Sequence, residues 1–404
     1  MKSYKANYTA ILIAETLAMI GFSLSIPIIP LFLEDDIGIT DPVMLKIWVG
    51  VIQSSAGLTM AIFAPIWGHL ADIYSRKAML LRAMFGGAIF ISLMTFVNSP
   101  WQLLVLKTIQ GCVTGTVAAA TVLIASITPA AQVALALGLL QTMIAVGSSV
   151  GPLIGGLLSD FLGHRAAFFA TGLSLALAGF IVLKWVENDK QPSREKGTGK
   201  LSLIPNFRPI INSPLLITMM LVTFGVHSAN SAASPMIPLF LKSLLKNISE
   251  APSYIASSAG IVLGVGAAST AIAAVLVGKF SSSIGYWRTL VLCLSAGAIM
   301  TIPQIFVTNM IQLTVLRAIS AFFIGGAIPV INAIIAVSTD KKIQGTVFGF
   351  NSSVTAAGAA LGPLIGSAAA MINYRMVFLV AAVILGLSAL ETSRRRKRII
   401  IENN

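Results

Sequence analysis

Long apolar runs, broken by short polar or Pro/Gly segments, organise this chain. About 20 consecutive apolar residues are needed to cross the hydrocarbon core of a bilayer. Runs of that length predict helices over residues 8–33, 46–70, 78–98, 101–126, 132–159 and 166–186, and again over 214–241, 254–279, 288–308, 311–337, 343–369 and 373–391. Between the two sets lies Val186–Lys200, the longest polar stretch, dense in charge and turn formers. The expected layout is an N-terminal six-helix bundle over 1–186, a cytoplasmic linker over 187–213, a C-terminal six-helix bundle over 214–391 and a basic cytoplasmic tail over 392–404.

The second set repeats the first. Gly147, Gly151, Pro152, Gly155 and Gly156 in span 5 recur as Gly358, Gly362, Pro363, Gly366 and Ser367 in span 11, 211 residues later. Pro27 and Pro30 match Pro235 and Pro238, Lys107 matches Arg317, Gly115 matches Gly325 and Arg165 matches Arg375, at offsets of 208 to 210. Glycines four apart share a helix face and let a neighbouring backbone approach closely. Proline within such a helix removes a donor and bends the axis. The fold class expected is an all-α membrane protein, with twelve transmembrane helices in two pseudo-symmetric six-helix bundles. Parallel six-span repeats are a plan used by transporters, with the site between the halves near mid-membrane.

Composition agrees. Of 404 residues 56% are hydrophobic and 10% charged, against about 25% charged in soluble proteins. A net charge of +13 in a soluble chain would point to nucleic acid, but here it follows the positive-inside rule. With both termini cytoplasmic, 20 of the 27 Lys and Arg residues fall on the cytoplasmic side; the other seven are Lys46, Lys107, Arg165, Lys242, Lys246, Arg317 and Arg375. The chain is thus expected to be a multi-pass protein of the cell (inner) membrane, surrounded by lipid, acting as a monomer and without nucleic acid. The first apolar run is too long for a signal peptide and is read as a retained span. Cys112 and Cys293 offer neither a disulfide framework nor metal-ligand spacing. No phosphate-binding glycine loop, catalytic triad or metal cluster stands out, so no enzyme activity, metal or cofactor is expected, and the drive would be a proton gradient rather than ATP.

Gly68-His-Leu-Ala-Asp72-Ile-Tyr-Ser75-Arg76-Lys77 follows span 2. It resembles the signature loop of the major facilitator superfamily, with Ser75 where that family usually has Gly. Gly278, Gly285 and Arg288 form a worn second copy. Gly21 with Pro27 and Pro30 resembles the helix 1 motif of twelve-helix drug:proton antiporters. Lys107-Thr-Ile-Gln110-Gly111 resembles their helix 4 motif, usually opened by Arg, and Gly147–Gly156 their helix 5 antiporter motif. The resemblance implies the major facilitator fold and drug export. It also implies that Gly68, Asp72, Arg76 and Lys77 form a conformational gate at the inner ends of the helices. Alternatively, those charges are a solvated loop that sets topology.

Carboxylates are scarce, and of the fourteen only Glu15 is placed well inside a span. A charge near the bilayer core costs roughly 2.5–3.5 kcal/mol on insertion scales, a cost that protonation removes. A group alternating between neutral and charged forms is a natural proton carrier, and the family resemblance adds a helix 1 acid at this place. Glu15 is therefore a candidate for proton coupling or for binding a cationic substrate; the bland alternative is a snorkelling or partner-satisfied glutamate near the helix end. Lys107 and Arg317 are candidates for coupling or gating, or else interfacial side chains that snorkel. Phe22, Gln53, Gln110, Gln141, His227, Asn230 and Asn332 are candidate cavity residues, although polar groups in a bundle often only bond helix to helix. Gln304 and Asn351 are further polar positions within spans. His227 and Asn230 share one helix face. Gly151, Gly155 and Gly156 are expected to let span 5 pivot against a helix of the other half.

The leading functional expectation is proton-coupled export of small amphipathic or hydrophobic compounds by alternating access, the chemistry of multidrug efflux and antibiotic resistance. One rival is a transporter of a specific metabolite: a sugar, sugar phosphate, organic anion or amino acid. It would ordinarily carry a denser polar site. The other is a non-transporting membrane sensor.

Overall fold

Proline and glycine decide where the apolar runs are interrupted, and the interruptions place the polar groups. The computed structural model describes residues 4–73, 75–129, 132–187, 208–245, 254–340 and 343–402. Most of the predicted linker, Lys246, Lys341 and Lys342 lie outside the described residues, and Gly68 and Asp72 are described as helix backbone only.

Among the described residues there are helices and turns but no strand, and twelve helical stretches are long and apolar enough to cross a membrane. The first six consist of α1 (Tyr4–Leu24) with α2 (Ile28–Asp35), α3 (Pro42–Ile73), α4 (Arg76–Leu93), α5 (Pro100–Val113) with α6 (Thr116–Ile127), α7 (Val133–Leu162) and α8 (His164–Trp185). After a single turn, α9 (Arg208–Ile211), come α10 (Pro214–Ala233) with α11 (Ile237–Leu245), α12 (Ile255–Ile284), α13 (Tyr286–Thr301), α14 (Met310–Val337), α15 (Gln344–Ile372) and α16 (Met376–Glu402). All twelve predicted spans are present, with ends shifted by a few residues. α16 carries on as helix through the basic segment predicted as a tail.

The chain forms two compact units. One holds Met1–Gly197 with Ile237–Gly264, the other Thr198–Met236 with Val265–Asn404. In the first, α1 lies along α7 and α8, α4 along α8, and α3 beside α5. Phe32 and Phe168 meet edge to face at 5.1 Å in its core. In the second, α10 lies along α15 and α16, and α13 along α14 and α16, around a core that includes Met219, Leu290, Leu294, Ile331 and Leu385. Phe161, Phe169, Leu173, Leu177 and Phe180 are exposed on α7 and α8. An apolar outer face is matched by lipid, and the helices satisfy their own backbone groups as a bilayer demands.

Among the described residues, three spans are divided between two α-helices. Pro27 separates α1 from α2, and a 3-10 turn at Ser234–Met236, which contains Pro235, separates α10 from α11. Span 4, expected to be continuous, breaks without proline: Thr114 is extended (φ −81°, ψ −175°) and Gly115 has φ +128°. Glycine is the residue that adopts such a conformation without a steric penalty. Span 10 carries Gly325 at the matching position, yet α14 runs through it unbroken.

Candidate functional site

Glu15 lies in the middle of α1 and is fully buried. Its Oε1 accepts a hydrogen bond of 2.8 Å from the hydroxyl of Thr116, the first residue of α6. Its Oε2 has no hydrogen-bond partner among the described residues. The break at Gly115 is what makes this contact available. In a continuous helix the Thr116 amide would bond the carbonyl of Cys112; here that carbonyl instead accepts from Trp67 Nε1 at 2.6 Å. Elsewhere on the same span, Thr108, Thr114 and Thr121 turn their hydroxyls back to carbonyls four residues earlier. Thr116 turns its hydroxyl to Glu15.

Lys107 on α5 is buried but forms no ion pair with Glu15. Gln110, one turn further on, is buried with its Oε1 unpartnered among the described residues. Phe22 and Gln53 are partly buried and Gln141 is exposed.

In the second unit Arg317 on α14 is 5% exposed, and its described partners are neutral. Nη2 donates to the backbone oxygen and to Oδ1 of Asn230, both at 3.4 Å. A second polar chain lies on α10, α14 and α15: Thr223 donates to Asn351 Oδ1 at 3.0 Å, and Asn351 Nδ2 donates to Asn332 Oδ1 at 3.2 Å. Gln304 is also buried and donates to Ser320 at 2.9 Å. His227 is partly buried on α10, its Cβ close to Gly358.

The antiporter-like helix packs as expected only in part, at Gly156 and not at Gly151 or Gly155. Gly147 and Gly151 face Thr16, Met19, Ile20 and Ser23, and Gly155 faces the backbone of Leu24. All three glycines therefore seat α7 on α1 of their own half, because their shared face is the one turned to α1. Only Gly156 meets a helix of the second sequence half, at Ala256 and Ser257 of α12, where Gly260 in turn receives Pro152. Asp160 closes the same contact by accepting from the backbone amides of Ala256 (3.2 Å) and Ser257 (2.7 Å). This is a carboxylate at a helix N-terminus, where it is electrostatically favoured.

In the signature loop, Ser75 caps α4 by accepting from the Ala78 amide at 3.3 Å, whereas Gly285 opens α13 with φ +94°. The serine departure thus replaces a glycine turn by a side-chain cap. Lys77 is buried, and its Nζ donates to the carbonyls of Leu183 (3.1 Å) and Val186 (2.5 Å) at the end of α8. Arg76 is partly buried.

Sequence reasoning missed several groups. Arg82 stacks over Trp67, 3.6 Å from the ring centroid. Lys242 pairs with Asp35 (2.6 Å) and Glu34 (3.2 Å), and Asp36 with His164 and Arg165. Opposite charges at span ends were the available signal. Which charges meet depends on contacts across as many as 207 positions of sequence.

Twelve spans in two related sets, with buried ionisable groups inside them, define a polytopic membrane transporter. The family model described as Major Facilitator Superfamily matches residues 11–311 and 257–397, and the chain belongs to that superfamily of transporters. It is 33% identical over 384 residues to "Multidrug resistance protein MdtG" of Proteus mirabilis (strain HI4320), covering 95% of this chain and 94% of the relative. It is 31% identical over 400 residues to the protein of the same name from Escherichia coli (strain K12 / DH10B), covering 98% and 96%. Among solved structures, a bacterial homolog of the human lysosomal transporter Spinster superimposes with a TM-score of 0.79 at 15% identity, covering 97% of each chain. The nucleoside transporter NupG gives 0.77 at 16% identity, covering 96% and 97%. These likenesses establish the fold.

Proposed function

We propose that this transporter exports small amphipathic or hydrophobic compounds in exchange for protons, by alternating access in the cell membrane, with both termini cytoplasmic. The observation that carries the reading is Glu15. It is a fully buried acid within a span, one oxygen held by Thr116 and the other without a hydrogen-bond partner among the described residues. Charged, such a group is costly in an apolar interior. Protonated, it is compatible with one. Gain and loss of the proton at Oε2 therefore gives the two halves of a transport cycle different energies, as exchange requires. The names of the MdtG relatives support a drug-like substrate.

The test is reconstitution in liposomes with an imposed pH gradient and a panel of amphipathic compounds. Gradient-driven flux is expected, and Glu15→Gln should abolish the dependence on the gradient. No gradient-driven flux across the panel overturns the reading, and full coupling in Glu15→Gln removes Glu15 from it.

One observation favours a second reading, an organic-anion transporter. Arg317 is a buried cation whose described hydrogen bonds go only to neutral acceptors, at 3.4 Å. Arginine stays charged and forks well onto carboxylates or phosphates. Flux of anionic but not of neutral amphipaths, lost in Arg317→Gln, would establish it.

A further inference from the structure

The two sequence halves supply an internal control for the break in span 4. By the offset of 208 that matches Pro27 to Pro235, Glu15 corresponds to Thr223, and by the offset of 210, Gly115 corresponds to Gly325 and Thr116 to Gly326. The first half has the acid, the break and the threonine. The second has none of the three, for Thr223 is bound in a neutral chain with Asn351 and Asn332 and α14 is continuous.

The two matching glycines are also required for different reasons. A side-chain carbon on Gly325 would lie 2.7 Å from the Thr270 backbone, so close helix packing demands glycine there. One on Gly115 would meet nothing within 4 Å. What demands glycine at 115 is its backbone conformation, φ +128°. A break that is kept without a packing reason calls for a local one. The group it serves is the Glu15 carboxyl, because the break begins α6 at Thr116 and leaves that hydroxyl pointing away from its own helix. Trp67 accounts for the carbonyl left over at Cys112.

We propose that the Gly115 break and the Thr116 hydroxyl, backed by Trp67, form a device that positions the Glu15 carboxyl, holding Oε1 and leaving Oε2 as the oxygen that gains and loses the proton. This rests on the reading of Glu15 as the coupling acid. Thr116 is a positioning residue and takes no proton itself. The charged and titratable groups on the surrounding elements are few. α6 has none; α7 has Asp160, α8 has His164, Arg165 and Lys184, all near helix ends; α5 has Lys107 and Cys112; and α1 itself adds Tyr8, with Tyr4 and Lys5 at its start.

The test compares full-length Thr116→Val, which keeps the shape and removes the hydroxyl, with Thr116→Ser, which keeps the hydroxyl. The first measurement is the carboxyl stretching band in infrared difference spectra between two pH values, assigned to Glu15 by its loss in Glu15→Gln. The second is the pH profile of transport in liposomes. Thr116→Val is expected to move the band and to displace the profile by about half a pH unit or more, the effect of losing one hydrogen bond to one protonation state. Thr116→Ser should restore both. A band and profile unchanged in Thr116→Val, or shifted equally in both variants, overturns the proposal. The band reports the carboxyl itself, so a shift restored by serine supports the positioning even where Glu15→Gln shows coupling to lie elsewhere. An unmoved band alongside a coupling-dead Glu15→Gln overturns the positioning and leaves the coupling role standing.

Discussion

Spans 1, 4 and 5 and their counterparts 7, 10 and 11 are built to one pattern, and spans 1 and 7 both break at proline, yet the first set carries a mid-span acid and a broken span 4, whereas the second carries no such acid and an unbroken span 10. What the halves share is packing. Gly147, Gly151 and Gly155 seat α7 on α1, and Gly358, Gly362 and Gly366 seat α15 on α10 against Phe224, Ser228, Ser231 and Ala232. Thr59 donates to Thr108 O at 3.0 Å from α3 to α5, and Thr270 donates to Ala321 O at 3.2 Å from α12 to α14. What differs is ionisable chemistry at the middle of the spans. A duplicated scaffold keeps the contacts that both copies need in order to fold, while polar residues in one copy are free to specialise. The glycine-faced helices therefore report on the scaffold, and Glu15, Thr116 and Gly115 on the proposed coupling.

The shared part is tested hardest by filling the glycine faces. A side-chain carbon on Gly155 would sit 2.8 Å from the carbonyl carbon of Leu24, and one on Gly366 2.8 Å from that of Ala232. The obstacle is backbone in both cases, so the helices must separate. Overpacking of this kind costs about 1–3 kcal/mol, and at times more. Gly155→Leu and Gly366→Leu are each expected to lower the melting temperature in detergent strongly and to abolish transport in liposomes. A large loss from one and none from the other would show that the two faces are not equivalent.

An intermediate effect separates the halves at the signature loop. Lys77 is buried on the terminal carbonyls of α8, whereas its counterpart at offset 211, Arg288, is exposed. The reason lies in the partner helix. α8 stops at Trp185 and leaves carbonyls to be satisfied, but its counterpart α16 continues to Glu402. Charge-assisted hydrogen bonds contribute about 1.5–3 kcal/mol, and an exposed surface position typically within about 0.5 kcal/mol. Lys77→Met should therefore destabilise the protein measurably and Arg288→Met should not. Equal melting temperatures for the two variants would contradict the capping role.

Much of the scaffold was legible in the sequence because apolar length and glycine spacing are local, periodic signals. The number of spans and the two-fold repeat follow from them, the family came from resemblance of short motifs such as Gly68–Lys77, and Glu15 stood out because acids inside spans are rare. The break at Gly115 did not stand out. Gly115 and Gly325 are matched residues in matched apolar runs, and glycine permits a left-handed backbone without requiring one. Thr116 was equally hidden, since its bond to Glu15 spans 101 positions and a threonine in a helix ordinarily bonds its own backbone. The partner of the antiporter-like helix was right for Gly156 but wrong for Gly151 and Gly155, for a related reason. Glycine spacing shows that a helix has a flat face but not which neighbour it turns toward.

The smallest expected effect fixes where the halves begin to diverge. Span 4 and span 10 start with the same device. Ser99 Oγ accepts from the Gln102 amide at 3.4 Å while Gln102 Oε1 accepts from the Asn98 amide at 2.9 Å. In the copy, Asn309 Oδ1 accepts from the Gln312 amide at 2.9 Å while Gln312 Oε1 accepts from the Thr308 amide at 3.0 Å. Each is a reciprocal cap that satisfies amides left over at a helix start. Losing such a cap costs about 1 kcal/mol, so Ser99→Ala and Asn309→Ala should lower the melting temperature by similar small amounts, leaving transport intact. The longer Ser99 bond makes its loss the milder of the two. If either alanine variant changed the pH profile of transport, the functional difference would begin at the start of the span. If neither does, the functional difference within span 4 begins beyond the cap, in the stretch that holds Lys107 and the Gly115 break.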